Sequence, residues 1–233
     1  MSTWIKVGLI AVAIYGLLCV GLYATMRQPP KVFGAVMSVL PAPVVMMGLP
    51  MRQLWQAARA GSVQAGDPAP DFDLPAVDRT SRVRLRDFRG VQPVVLVFGS
   101  YTCPPFRNDV PRINSIYHKY KDRAAFYLIY IQEAHPSDGW QLPSNVKAEV
   151  VFASPTSMEG RADLALACSR TVGIEFPALI DEISDSAEGA YSAWPSRICL
   201  VGKDGVVVYK SKPGPYGFLP DELDQALAKL LPG

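Results

Sequence analysis

The first stretch of the chain shows no alternation of hydrophobic and polar positions. From residue 7 to 25, V-G-L-I-A-V-A-I-Y-G-L-L-C-V-G-L-Y-A-T, no charge interrupts the apolar run. A helix of about 20 such residues is long enough to cross a bilayer. A second uncharged stretch covers residues 32–51, but Pro41, Pro43 and Pro50 interrupt it and remove helix donors. It predicts a re-entrant or interfacial segment, or an apolar surface that packs on a second copy of the chain as a homodimer. Residues 52–65, R-Q-L-W-Q-A-A-R-A-G-S-V-Q-A, predict a short amphipathic linker helix with Leu54 and Trp55 buried and Gly61 at its end.

Beyond residue 66 the period changes. Phe72 and Leu74 alternate with acids, the mark of a half-buried strand. Val83, Leu85 and Phe88 lead into P-V-V-L-V-F (93–98), an apolar, β-branched run that predicts a central strand covered on both faces. A helix is predicted over 104–120, bent at Pro111. A-A-F-Y-L-I-Y-I (124–131) is a second buried strand, and strand, helix, strand predicts parallel neighbours. A helix over 158–170, a short strand over 177–181 and a hairpin (R-I-C-L-V, G-K-D-G, V-V-V-Y-K) follow. Leu223, Leu227, Leu230 and Leu231 give the last helix one apolar stripe. This is the order of a thioredoxin-like domain. The expected fold class is α/β, a thioredoxin-like fold with an N-terminal transmembrane helix: an anchor over 1–31, the Pro-interrupted segment and linker over 32–65, and a globular domain over 66–233.

Composition narrows the partners. Twenty-three Lys and Arg nearly balance 21 Asp and Glu, which argues against the dominant basic face of a nucleic-acid binder. Two histidines do not make a His-rich metal site, and no metal is expected. Cys19, Cys103, Cys168 and Cys199 have neither zinc-finger nor disulfide-framework spacing, so they read as four independent thiols in a reducing compartment. The apolar run reads as an anchor rather than a cleaved leader, because only Lys6 precedes it and no small-x-small site follows. Arg27, Lys31, Arg52 and Arg59 lie after it, which places the main domain in the cytoplasm of a single-pass membrane protein.

The candidate chemistry begins at G-S-Y-T-C-P-P-F-R (99–107), where a central strand feeds a cysteine and a helix start. Ligands gather beyond the carboxyl ends of parallel strands. Unpaired amides and the helix dipole favour a thiolate at Cys103, lowering its pKa. Pro104 or Pro105 at the first helical position loses no hydrogen bond, and Ser100 and Thr102 offer hydroxyls to the same loop. The second strand ends in Q-E-A-H-P-S-D-G-W (132–140), so Glu133 and His135 emerge beside Cys103 if the strands are adjacent. A histidine activates a thiol or delivers a proton, and a carboxylate orients it. His118 lies about 22 Å down the helix, at about 1.5 Å per residue, too far to act there. Cys168 resolves an oxidised Cys103 only if the fold brings the two together. Trp194-Pro195-Ser196 precedes the hairpin, where thioredoxin-like domains place a cis-proline facing the active cysteine, making Pro195 the candidate. Arg197 is a candidate to stabilise a thiolate or an anionic substrate, or else to pair with an acid at a strand end.

Together F-G-S-Y-T-C-P-P-F, I-Y-I-Q-E-A-H-P-S-D-G-W and, more loosely, R-I-C-L-V with V-V-V-Y-K-S-K-P-G-P-Y-G-F resemble the iodothyronine deiodinases, membrane-anchored enzymes of thioredoxin fold. The resemblance implies that Cys103, usually selenocysteine in the family, attacks iodine on an aromatic ring, while His135, supported by Glu133, serves proton transfer. Ser100, Thr102 and Tyr130 fall on family active-site positions. An external thiol would then reduce the enzyme–sulfenyl iodide as co-substrate, with no bound cofactor. Four departures from the resemblance stand out: sulfur replaces selenium, Tyr101 stands where many members have an auxiliary cysteine, residues 152–159 lack the second histidine of the animal enzymes, and Pro213 stands where some members have an arginine assigned to hold the hormone. Ser100-x-x-Cys103 and G-D-P-A-P-D-F-D-L leave open a peroxiredoxin-like peroxidase or general thiol-disulfide oxidoreductase acting on peroxide. A third reading is a membrane-tethered binding or assembly protein with a vestigial site.

Overall fold

The computed structural model describes residues 2–40 and 48–232. The chain divides into two compact units, Met1–Ala60 and Gly61–Gly233. In the first, helix α1 (Thr3–Met26) opens where the Ser2 hydroxyl accepts from the Ile5 amide, and it is long and apolar enough to cross a membrane. Helix α2 (Pro30–Val39) starts at a proline, which costs no hydrogen bond at that position. Helix α3 is shorter than its sequence predicts: it runs Met51–Ala58, and Gly61 lies outside it with φ +75°. Met51 and Trp55 are its buried residues, and Leu54 is only half-buried. The reason is the Phe33 ring, which lies 5.1 Å from Trp55 and selects the face that turns inward. The breaks expected at Pro41 and Pro43 lie outside the described residues, whereas Pro50 directly precedes α3.

The second unit opens with an antiparallel pair, β1 (Asp73–Pro75) and β2 (Arg82–Arg84), then a 3-10 turn over Leu85–Phe88. The main sheet contains β3 (Val94–Gly99), β4 (Ala125–Tyr130), β5 (Ala178–Ile180), β6 (Arg197–Val201) and β7 (Val207–Lys210), in the order β5-β4-β3-β6-β7. Strand β3 pairs parallel with β4 and antiparallel with β6, so its continuous apolar run is central and buried throughout, as the sequence predicts. Helix α4 spans Pro104–Tyr120, the predicted bounds, and joins β3 to β4. Helices α5 (Pro143–Lys147), α6 (Met158–Val172), α7 (Ser186–Tyr191) and α8 (Pro220–Leu230) complete the unit. The topology is thioredoxin-like.

Strand alternation sorts the sheet into two faces. Val95, Val97, Leu128, Tyr130, Ile198 and Leu200 share a core with Val110, Ile113 and Ile116 of α4 and Leu223 and Leu227 of α8. The alternate residues turn the other way, where Phe98 meets the Tyr191 ring at 5.2 Å. Gly99 marks the point where β3 passes under α4. A Cβ there would lie 2.4 Å from the Phe106 ring, so only glycine lets the helix sit this close. That approach places the start of α4 over the carboxyl end of β3.

Candidate active site

Cys103 is the N-cap residue of α4 and is 1% exposed. The position is the predicted one, but the electrostatics are not. Burial pushes the thiol up to about 11, and the Phe106 amide, Ser196 hydroxyl and Arg107 charge only partly oppose it. A helix terminus is worth little more than about 1 kcal/mol to a neighbouring charge, so desolvation of the anion wins and Cys103 rests as the thiol.

The loops after β3 and β4 are fastened together. The Thr102 amide and hydroxyl both donate to Glu133 Oε2, at 2.8 and 2.6 Å, and the Tyr130 hydroxyl donates to Glu133 Oε1. The Tyr101 amide donates to that Tyr130 oxygen at 3.1 Å. The His135 amide donates to Thr102 Oγ1 at 3.0 Å, and the Ala134 amide to Ser100 Oγ at 3.1 Å. Ser100, Thr102, Tyr130, Glu133 and His135 are therefore brought to one place, as the parallel register Gly99↔Tyr130 requires. Burial raises the Glu133 pKa against the pull of its donors.

Glu133 does not orient the imidazole directly. Its carboxylate is taken up by Thr102 and Tyr130, and it reaches His135 only through Thr102 and the His135 backbone. The ring is held instead by Trp140, whose carbonyl lies 3.1 Å from Nδ1 and whose indole meets the imidazole edge-on at 4.7 Å. A carbonyl partner requires the proton on Nδ1 and leaves the lone pair on Nε2. Burial, helped by the Arg107 charge, lowers the His135 pKa to about 4. At neutral pH His135 is a neutral base.

Two residues without a predicted role hold the cysteine loop. Arg107, one turn along α4 from Cys103, donates from Nη1 to the Tyr101 carbonyl and from Nη2 to Asn145 Oδ1 at 2.9 Å. Asn145, fully buried, donates in turn to the Thr102 carbonyl at 2.8 Å. The i, i+4 spacing of Cys103 and Arg107 signals the first in sequence; no local pattern signals the second. Tyr101, in the place of the auxiliary cysteine, stacks on Phe152 at 4.9 Å.

The remaining candidates divide. The Trp194–Pro195 bond is cis at the candidate position, an isomer the sequence leaves open, and Gly214–Pro215 is a second cis bond that the sequence does not signal. Arg197 is not beside Cys103. It follows Ser196 onto the opposite face of the sheet, donates to the Ser211 carbonyl at 3.0 Å and acts electrostatically on Cys199. Burial lowers its pKa to about 10. Strand parity, which decides the face, overrides its nearness in sequence to Pro195. Cys168 is a free, fully buried thiol in the same core as Cys103. His118 pairs with Glu175 on the outside of α4, away from the site.

Comparison with known proteins agrees with this architecture. The iodothyronine deiodinase family matches residues 45–231. Thyroxine 5-deiodinase of Gallus gallus is 32% identical over 70% of this chain and 61% of its own length. Type I iodothyronine deiodinase of Xenopus laevis is 32% identical over 70% of this chain and 63% of its own. The match thus spans about three-fifths of each relative. Among solved structures, the thioredoxin domain of a thiol-disulfide oxidoreductase from Bacteroides vulgatus superposes with a TM-score of 0.50 at 18% identity, covering 72% of this chain and 98% of that one; at this identity the likeness concerns the fold. With the fold, the Cys103 loop and the Glu133–His135 loop in register, the chain belongs to the iodothyronine deiodinase family.

Proposed function

We propose that the protein is a membrane-anchored thiol dehalogenase that removes iodide reductively from an iodothyronine or a related iodophenol. The observation that carries this reading is the network in which Thr102, next to Cys103, links Glu133 to the His135 backbone, on segments matched by the family. In this reading the sulfur of Cys103 does the work that the family assigns to selenium. In the same reading helix α1 serves as the anchor, and the cationic residues after it favour a domain on the cytoplasmic side, where thiol reductants are abundant.

Cys103 rests as a thiol, so the first requirement is a base. Neutral His135 takes the thiol proton on Nε2, and the thiolate attacks iodine along the carbon–iodine bond. The S–I bond forms as the C–I bond breaks, and the electron pair stays on the aromatic carbon. The imidazolium, destabilised by burial and by Arg107, returns its proton to that carbon. Aryl iodide and thiol have become arene and sulfenyl iodide. One external thiol then displaces iodide as HI to form a mixed disulfide, and a second releases Cys103.

The test is iodide release by the full chain in detergent micelles, with an iodothyronine or iodophenol and a dithiol. Release is expected from the wild type, none from Cys103→Ala and little from His135→Ala. No release above the Cys103→Ala background overturns the reading. Rapid peroxide consumption with a sulfenic acid on Cys103 would replace it with the peroxidase alternative.

A further inference from the structure

Ser196 occupies a position that the chemistry above leaves unused. Phe98 pairs with Arg197 across the antiparallel β3–β6 ladder, so Ser196 stands one step further, opposite Gly99 at the mouth of the site. Strand alternation turns its side chain to the same face as Ile198, which belongs to the core that contains Cys103 and Phe106. The residue is fully buried, and its hydroxyl makes no full hydrogen bond among the described residues. Its hydroxyl nevertheless lowers the Cys103 pKa through a hydrogen-bond interaction that burial outweighs, so the two groups lie near each other although the contact falls short of a full hydrogen bond.

A sealed, unsatisfied hydroxyl costs stability unless another state of the protein supplies its partner. The surroundings preserve it. The Gly214 amide donates to the Ser196 carbonyl at 3.0 Å, and a Cβ at Gly214 would stand 2.2 Å from Ser196 Oγ. Position 214 is thus kept clear of side chain where the hydroxyl sits.

We propose that Ser196 donates its hydroxyl proton to the Cys103 sulfur when that sulfur becomes a thiolate, so that Ser196 touches the reacting atom and stabilises the nucleophile. A hydrogen bond to an ionised acceptor is stronger than one to its neutral form, so the bond forms in the reactive state and is weak at rest. The inference rests on Cys103 being the reacting sulfur, but not on iodine being its target.

The experiment is the pH dependence of iodoacetamide alkylation at Cys103. It is read by mass spectrometry on the full chain in micelles, with the Cys168 and Cys199 peptides as internal controls. Ser196→Ala is expected to raise the Cys103 midpoint by about one unit, a tenfold loss of thiolate at each pH below it, or about 1.4 kcal/mol. Gly214→Ala, which crowds the hydroxyl off its position, is expected to slow alkylation in the same direction. Mere loosening of the fold would accelerate labelling at all three cysteines. Alkylation of Cys103 in Ser196→Ala as fast as, or faster than, in the wild type overturns the proposal; if that variant does not fold, an unchanged Gly214→Ala profile does so. No iodothyronine or iodophenol is involved, so failed deiodination of those substrates and an unaffected alkylation profile remain separate results.

Discussion

Thr102 gives both its amide and its hydroxyl proton to a single oxygen of Glu133, at 2.8 and 2.6 Å, while its hydroxyl oxygen accepts from the His135 amide. One side chain thereby ties the nucleophile loop to the histidine loop. Replacing Glu133 by Gln puts an NH2 group among donors that need acceptors. Iodide release is expected to fall at least tenfold, and stability by about 1–3 kcal/mol for the unmet buried groups. Iodide assays and urea unfolding of Glu133→Gln check both.

Arg107→Met tests the clamp on the cysteine loop. Loss of the charge moves the His135 pKa upward from about 4, because the guanidinium contributes to its depression. It also frees the Tyr101 carbonyl and Asn145. Imidazole resonances of His135, followed against pH with His118 as the exposed reference, are expected to titrate at a higher pH in the variant; unchanged titration would remove Arg107 from the electrostatics of the site.

Gly99→Ala is expected to destabilise the fold by about 1–3 kcal/mol, the usual cost of forcing extra volume into a packed core. The added methyl would meet the Phe106 ring at 2.4 Å, with α4 behind it. Denaturant midpoints measure the loss.

Two buried groups of opposite sign contribute to the pH dependence of stability, beside Glu133, Asp181 and Asp185, whose carboxyls burial also raises. Burial, together with the nearby Asp185 carboxylate, raises Glu188 from 4.5 to about 8. The folded chain therefore holds a proton that the unfolded chain gives up, and stability falls as pH rises through that range. His135, lowered from 6.5 to about 4, works the other way: the unfolded chain binds the extra proton, and stability rises with pH up to about 6.5. The two oppose each other between about pH 4.5 and 6.5, and from 6.5 to 8 Glu188 contributes a fall that His135 no longer offsets. Glu188→Gln is expected to flatten that fall, measured as thermal midpoints across the range.

Much of this architecture is legible in the sequence where a long apolar pattern dictates it. Strand β3, helix α4 with its bounds at Pro104 and Tyr120, and the parallel partner β4 follow from periodicity. Helices α5 and α7 do not, because five- and six-residue helices are too short to show a period. At the site, the loop that carries Glu133 and His135 is readable because parallel strands deliver their ends to one edge. The protonation of Cys103 is not readable, because helix position is local while burial is set by the whole core. The face that Arg197 takes is unreadable for a related reason. It and its neighbour Ser196 alternate across the pleat, and only the register with Phe98 says which of them shares the face of the core that holds Cys103.

The cross-linking of the two loops bears on chain length as well as on residue identity. Gly99 and Tyr130 are in register, and the Ile131 amide donates to the Gly99 carbonyl at 3.2 Å. From there each loop advances in step to Thr102 and to Glu133. One residue added to either segment would carry every donor past its acceptor, however well each side chain were preserved. Homologues that keep this chemistry should vary in sequence between these points before they vary in spacing, and an alignment gap here would signal loss of the site more surely than any single substitution.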